Sequence, residues 1–387
     1  MDLDFTQEQE LLRDMVRGVC AELAPLSVVR AMEDDPTGYP GAFWSKLSEL
    51  GLPGLLIPEA YGGAGQTMVE AAIVYEELGR ALSPSPHFPS CVVCAGALLA
   101  AGGAAQQAAW LPRIASGEAI LAPAWLEPRR GFGARGVQLA ARENAGEFRL
   151  TGTKEHVPFA SAATRLVVLA RTGAADGDVD LFLVDPQAPG VTLEQRRSLA
   201  GDAQYRVRLD DVRVPVSDRI GAARSGWKTW EAVLHDGAIL LAALAMGGAD
   251  RALEITVAYA CERVQFDKPL GAFQAISHYL ADAATLVDGG RTLVWEAAWA
   301  RATGRSAQRL APMAKLFACQ TYRDVTAMCQ QVFGGYGFTI EYDIQLYFRR
   351  AKQLQMTWWD ARALEERIAA SVLDGDAGYR GSPLTPA

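Results

Sequence analysis

The period of the hydrophobic pattern changes twice along this chain, and those two changes restrict the fold more than any other feature. From residue 5 to about 118, apolar residues recur at helical spacing: Phe5, Leu11, Leu12, Met15, Val16 and Val19 surround and follow Thr6, a natural N-cap. Further helices are predicted at Ala42–Leu50, Met68–Leu82, Cys91–Ala101 and Ala104–Ser116, with the Pro- and Gly-bearing loop Leu52–Gly63 after the first of them. At Gly117 the texture changes to short β-rich runs broken by Gly, Asp, Asn or Pro. These are Ile120–Leu126, Val137–Arg142, Glu147–Thr151, Leu166–Arg171, Val179–Val184, Val191–Arg196 and Tyr205–Leu209. Long helical periods return over Gly226–Gln265, Ala272–Thr303, Leu310–Gly334 and Glu341–Leu373. The expectation is an α+β chain of three units: an N-terminal helical domain (1–118), a middle antiparallel β-barrel or sandwich domain (119–225) and a C-terminal four-helix bundle (226–387). The last residues, 378–387, read as a frayed tail.

This segregation excludes a doubly wound dinucleotide fold, in which strand and helix alternate throughout. Gly131, Gly133 and Gly136 match G-x-G-x-x-G, but the strand Val137–Arg142 follows, so no helix N-terminus stands ready for a pyrophosphate and the glycines read as a loop. With 50% hydrophobic and 21% charged residues, the 387-residue chain has ample material for a large core. A net charge of −8 without a basic stripe gives no electrostatic reason to bind nucleic acid. The acidic start carries no basic n-region followed by an apolar run, which points to the cytoplasm. The most apolar stretches, Ala238–Met246 and Cys91–Ala101, are shorter than the ~20 residues of a membrane span. Six cysteines read as reduced thiols, and His87, Cys91 and Cys94, although spaced H-x3-C-x2-C, lack a second cluster to complete a zinc site; no metal is expected.

Two segments near the C-terminus are chemically suggestive. The run Tyr259–Gln274 gathers Arg263, Gln265, Phe266, Phe273 and Gln274 at one turn between helices. A guanidinium, amides and aromatic rings in such a turn either bind a diphosphate and an adenosine or simply cap a bundle. The run Gln330–Phe338 holds Gln331, Phe333, Gly334 and Gly335, with three glycines in four positions. That is a C-cap turn, or a place where a cofactor touches bare backbone.

Taken together, E-R-x-Q-F with P-L-G-x-F-Q, then Q-x-x-G-G-x-G-F, Glu341-Tyr342 and the Arg349–Lys352 run resemble, in order and spacing, the C-terminal half of acyl-CoA dehydrogenases. The loop Leu50–Gly65, the helix bearing Tyr75-Glu76-Glu77-Leu78-Gly79, and Leu150-Thr151-Gly152-Thr153-Lys154 extend the resemblance over essentially the whole chain. It implies FAD as cofactor, an acyl-CoA substrate, an electron-transfer acceptor, and a dimer or tetramer with FAD at the subunit interface. It also implies that Arg263, Gln265, Phe266, Phe273, Gln274, Gln331, Phe333, Gly334 and Gly335 contact the diphosphate and adenosine of a neighbouring subunit's FAD.

The chain departs from the family where the chemistry would occur. Desaturation across Cα–Cβ needs a base for the α-proton while hydride leaves Cβ for the flavin, and a carboxylate is the usual answer. The family's glutamate falls in register at Trp358, and the place that some relatives use instead falls at Gly237. Asp236 and Asp360 are the neighbouring acids; the former is turned ~100° from Gly237 on a helix, and the latter also reads as a helix cap. Leu126 and Pro158 replace hydroxyls that would face the flavin ring, and His156 replaces a ring-packing tryptophan. The function expected from this pattern is α,β-desaturation of a bulky acyl-CoA, such as a steroid side-chain or cyclic thioester, alone or with a catalytic partner subunit, in lipid or steroid degradation. It resembles the base-lacking subunit of bacterial α2β2 acyl-CoA dehydrogenases. A homomeric dehydrogenase with an Asp base, a flavin monooxygenase of the same fold and a non-catalytic structural subunit are the other readings.

Overall fold

A computed structural model describes residues 4–374, so the tail expected over 378–387 lies outside the described residues. Helix α1 (Gln7–Leu23) begins with a capping box: the Gln9 N–H donates to the Thr6 hydroxyl and the Thr6 N–H to the Gln9 side chain. Two short helices, α2 (Leu26–Ala31) and α3 (Gly41–Glu49), precede α4 (Met68–Arg80), which Thr67 and Glu70 cap in the same way. A π-helical turn, Phe88–Cys94, then runs into α5 (Ala95–Ala101) and α6 (Ala104–Ala115).

Eight strands follow: β1 (Leu121–Ala124), β2 (Ala140–Asn144), β3 (Glu147–Pro158), β4 (Arg165–Arg171), β5 (Val179–Val184), β6 (Val191–Arg196), β7 (Gln204–Pro215) and β8 (Arg219–Ile220). They make one sheet in the order β6-β7-β3-β2-β4-β5-β8, with β1 on β4. The expected antiparallel sheet is corrected in one respect. β1 runs parallel to β4, with Leu121 opposite Arg165, and β2 meets β4 in parallel at Ala140 and Arg171. The chain between β1 and β4 is long enough for the crossover a parallel pair requires. Phe148, Leu150, Leu166, Val168, Phe182 and Val207 give the sheet a core of its own.

The C-terminal helices are α7 (Gly226–Glu262), α8 (Gln274–Ala302), α9 (Leu310–Phe333), α10 (Ile344–Met356) and α11 (Ala361–Leu373). α7 stops at Glu262, earlier than Gln265, because a tight hairpin, Val264–Gln265 against Lys268–Pro269, turns through Phe266 and Asp267 at φ +53° and +59°. The single helix expected over Glu341–Leu373 is broken. α10 ends at Met356, Trp358 takes φ +62°, which a right-handed helix cannot contain, and Asp360 opens α11 by accepting the Ala363 N–H at 2.9 Å. The break falls on Trp358, the residue expected from the resemblance to stand at the register of a base.

The helices from the two ends of the chain share one hydrophobic core, which includes Val16, Tyr75, Leu98, Leu234, Met246, Tyr322 and Tyr347. α7 is long and apolar enough by length and composition to cross a membrane, but 78% of its apolar window is buried inside the fold. It crosses α4 backbone to backbone: a Cβ on Gly79 would lie 2.1 Å from the Leu244 carbonyl oxygen, and one on Gly247 would lie 1.9 Å from that of Glu76. Around this crossing, Arg80 pairs with Asp250 and Glu254, and Arg291 with Glu76 (2.8 Å) and Asp250 (3.1 Å).

His87, the first residue of the zinc-like spacing, is committed to hydrogen bonds. Its Nε2–H donates to the Leu52 carbonyl (2.9 Å), which leaves Nδ1 to accept from the Tyr75 hydroxyl (2.7 Å), so both ring nitrogens are engaged. Burial pulls the imidazole down to about 4. Among the described residues no group of three or more His, Cys, Asp or Glu is placed to hold a metal.

Two outcomes follow from this packing. Gly247→Ala forces α4 and α7 apart and should lower stability by about 2–3 kcal/mol, read as a lower Tm; an unchanged Tm would mean that the crossing is not as close as described. His87 binds a proton in the unfolded chain near 6.5 and in the folded chain only near 4, so its contribution is fully present above 6.5 and is lost as pH falls through about 4. Urea titrations from pH 7 to pH 4 should show a loss of up to ~3 kcal/mol that His87→Gln reduces, whereas an identical slope in the variant would assign the acid sensitivity elsewhere.

Candidate active site and cofactor-facing surface

The two suggestive segments meet on one outer surface. Arg263 closes α7, its N–H on the Tyr259 carbonyl (2.8 Å) and its guanidinium 5.9 Å from the Tyr336 ring. Tyr259 stacks on Phe333 at 4.1 Å with ring planes 15° apart, which joins the end of α7 to the end of α9. Gly334 follows at φ +65°, ψ −135°, a region open to glycine, and a Cβ on either Gly334 or Gly335 would meet nothing within 4 Å. Gln265, Gln274 and Gln331 are exposed, and the Gln265 amide reaches only the Val264 carbonyl (2.8 Å). Phe266 is 87% exposed and sits edge-on to Phe273, over whose ring Lys268 places its ammonium at 4.1 Å. Among the described residues Arg263 has no carboxylate partner. An unpaired guanidinium, three amides and open glycine backbone are a donor set suited to the diphosphate and adenosine of FAD.

The loop that would face the flavin ring is held from behind. Lys154 on β3 is buried and donates to Glu127 (2.7 Å) and to the Trp125 carbonyl (3.2 Å). Burial draws its ammonium down to about 8, against the opposing pull of Glu127. Glu127 also accepts the Gln138 and Leu139 N–H groups, and the Glu155 N–H donates to the Leu126 carbonyl (2.9 Å). The frame is rigid, but Leu126 and Pro158 bring no hydroxyl to it, and His156 stands exposed at φ +53°.

Trp358 and Gly237, the two positions where the resemblance leads one to expect a glutamate, touch each other. A Cβ on Gly237 would lie 3.1 Å from Trp358 Cζ3 and 3.3 Å from Phe88 Cζ. Trp358 packs on Phe88 at 4.9 Å between centroids and lies 6.4 Å from Trp125 and from Trp230. Trp125 in turn lies 5.9 Å from Trp230 and 6.4 Å from Trp227. The indole N–H groups of Trp125 and Trp230 are buried without a hydrogen-bond partner. The volume around the base position is therefore occupied by indoles drawn from the end of β1, the first turns of α7 and the α10–α11 turn. Phe88, Trp125, Trp227 and Trp230 escape sequence reasoning because they lie in separate segments; only the i, i+3 spacing of Trp227 and Trp230 hinted at a shared face.

The two acids considered as bases are engaged elsewhere. Both oxygens of Asp236 are taken by Arg301 (2.6 and 3.0 Å) on α8, on a different face of α7 from Gly237. Asp360 caps α11 through its side chain. It borders a cleft of about 400 Å³ that Gly131, Phe132 and Gly133 line from the other side, so the glycine motif is a surface loop followed by β2.

Comparison with known proteins agrees with this architecture. The chain matches the models of the acyl-CoA dehydrogenase N-terminal domain (residues 6–118), middle domain (122–212) and C-terminal domain (224–358). It is 34% identical to a probable acyl-CoA dehydrogenase of Bacillus subtilis, YngJ, over 92% of this chain and 95% of that protein. Among solved structures, a Tcur3481-Tcur3483 steroid ACAD variant superposes with a TM-score of 0.85 at 31% identity, covering 95% of this chain and 98% of that one. The ChsE4-ChsE5 complex from Mycobacterium tuberculosis gives 0.88 at 27%, covering 97% and 100%. With three successive domain models spanning most of its length, this chain belongs to the acyl-CoA dehydrogenase family of FAD-dependent oxidoreductases.

Proposed function

We propose that this chain is the partner subunit of a heteromeric acyl-CoA dehydrogenase, holding the diphosphate–adenosine end of an FAD whose ring serves the other chain. The observation that carries this reading is the contact of Trp358 with Gly237. When bound, FAD supplies the two-electron acceptor for the hydride leaving Cβ. The α-proton must leave to a base, and here an indole fills that place while Asp236 is held by Arg301. A thioester cannot occupy the space that Phe88, Trp125, Trp230 and Trp358 already fill.

The outer surface retains what the inner site lacks. Arg263 would pair with the diphosphate, Gln265, Gln274 and Gln331 would donate to it or to the adenosine, and the bare backbone at Gly334 and Gly335 would allow close approach. The exposed Phe266, Phe338 and Ile340 near these groups suit burial against another subunit. Likeness to the two solved chain pairs supports a hetero-oligomer, and the steroid ACAD supports a bulky, steroid-type acyl-CoA as the substrate of the assembly. An electron-transfer protein would reoxidise the flavin of that assembly.

The reading is tested by counting flavin. Co-purified with its catalytic paralogue, the assembly should contain one FAD per two chains, and this chain alone should not turn over acyl-CoA; one FAD per chain, or turnover by the chain alone, would overturn it. In the same assembly, Arg263→Ala should weaken FAD retention by about 10- to 100-fold, the loss of one charge-assisted phosphate contact, whereas retention equal to wild type would show that the outer turn serves no phosphate.

A further inference from the structure

We propose that Lys315 is the positioning residue that holds the Thr357–Asp360 turn and thereby keeps Trp358 over Gly237. Lys315 lies on α9 and is fully buried, yet no carboxylate lies within ion-pair distance of it among the described residues. Its Nζ donates to the Trp359 carbonyl at 2.8 Å and to the Leu354 carbonyl at 3.3 Å. Leu354 is in the last turn of α10 and Trp359 directly follows Trp358, so one amine clamps the chain on both sides of the left-handed residue.

Two costs coincide at this point. A lysine taken out of water is unfavourable unless its donors are used, and burial lowers the pKa of this ammonium against the opposing pull of Cys319 and Asp360. A bulky residue at φ +62° carries backbone strain. The two carbonyls satisfy the lysine, and the lysine fixes the turn against relaxation to an ordinary conformation. Leu354 shares its carbonyl with the Cys319 thiol (3.6 Å) and the Thr357 N–H (3.3 Å), so α9 meets the end of α10 through two side chains one helical turn apart.

The geometry of the clamp stands independently of the proposed function; only its consequence, a shut acyl position, rests on that reading. A double-mutant cycle separates a clamp on the turn from a general core role. Lys315→Met keeps the aliphatic stem and removes the donors, and Trp358→Gly allows φ +62° without strain. Lys315→Met should leave the far-UV spectrum intact, diminish the near-UV dichroism of the packed indoles by half or more and raise their acrylamide quenching. Its drop in Tm should be at least twice as large with Trp358 present as in the Trp358→Gly background, and folding only in that background would support the clamp equally. Equal drops in both backgrounds, an unaltered indole signal, or failure to fold in both would overturn it. The flavin count of the assembly reads the proposed function separately, since a failed clamp leaves one FAD per two chains unchanged.

Discussion

The positions of Trp230, Gly237 and Arg263 follow the course of α7, and α7 crosses α4 with the two backbones in close contact. Gly79 and Gly247 remove the side chains that would otherwise hold the two backbones apart, and ion pairs from Arg80 and Arg291 surround the contact. A helix of 37 residues is about 55 Å long. α7 therefore carries Trp230 and Gly237 near its buried start and delivers Arg263 to the surface at its far end, where the Tyr259–Phe333 stack fastens it to α9. A tilt at the crossing would displace both ends at once.

Between those ends the chain has exchanged one kind of chemistry for another. A carboxylate at position 237 or 358 would need solvent or a partner to stay charged in that interior, and the neighbours here are indoles and a phenyl ring. Aromatic packing fills the same volume without that requirement. The outer turn is the reverse case: among the described residues Arg263 has no carboxylate partner, and Gln265, Gln274 and Gln331 stay exposed. Apolar closure inside and exposed polarity outside are the two features on which the proposed role as a partner subunit rests. Lys315 ties this closure to the bundle, because α9 bears both the clamp on the α10–α11 turn and, about 24 Å further along, Gln331 of the outer surface.

The helical and strand periods were legible because each depends on neighbours close in sequence. Thr6 announces α1 through a cap that involves a residue three positions away, and β5 and β6 occupy the spans predicted for them. The break after α10 showed in the sequence only through Asp360 as a possible helix cap, since Met356–Asp360 carries no proline or glycine; the contacts at that turn come from Lys315, some forty residues upstream, which donates to the Leu354 and Trp359 carbonyls, and from the packing of Trp358 on Phe88. The parallel pairing of β1 with β4 was hidden for the same reason: pairing across a long crossover leaves no local mark.

The sequence by itself determined the family and the order of the three segments, and it raised the expectation that Trp358 stands where the family's base would, because motifs and register are properties of the linear chain. Only the tertiary structure decided that Trp358 lies on Gly237, that Phe88, Trp125 and Trp230 from separate segments close the space around them, and that Arg301 occupies Asp236. Those facts depend on which helix faces come together, and that is fixed by packing across the whole core rather than by any stretch of residues read alone.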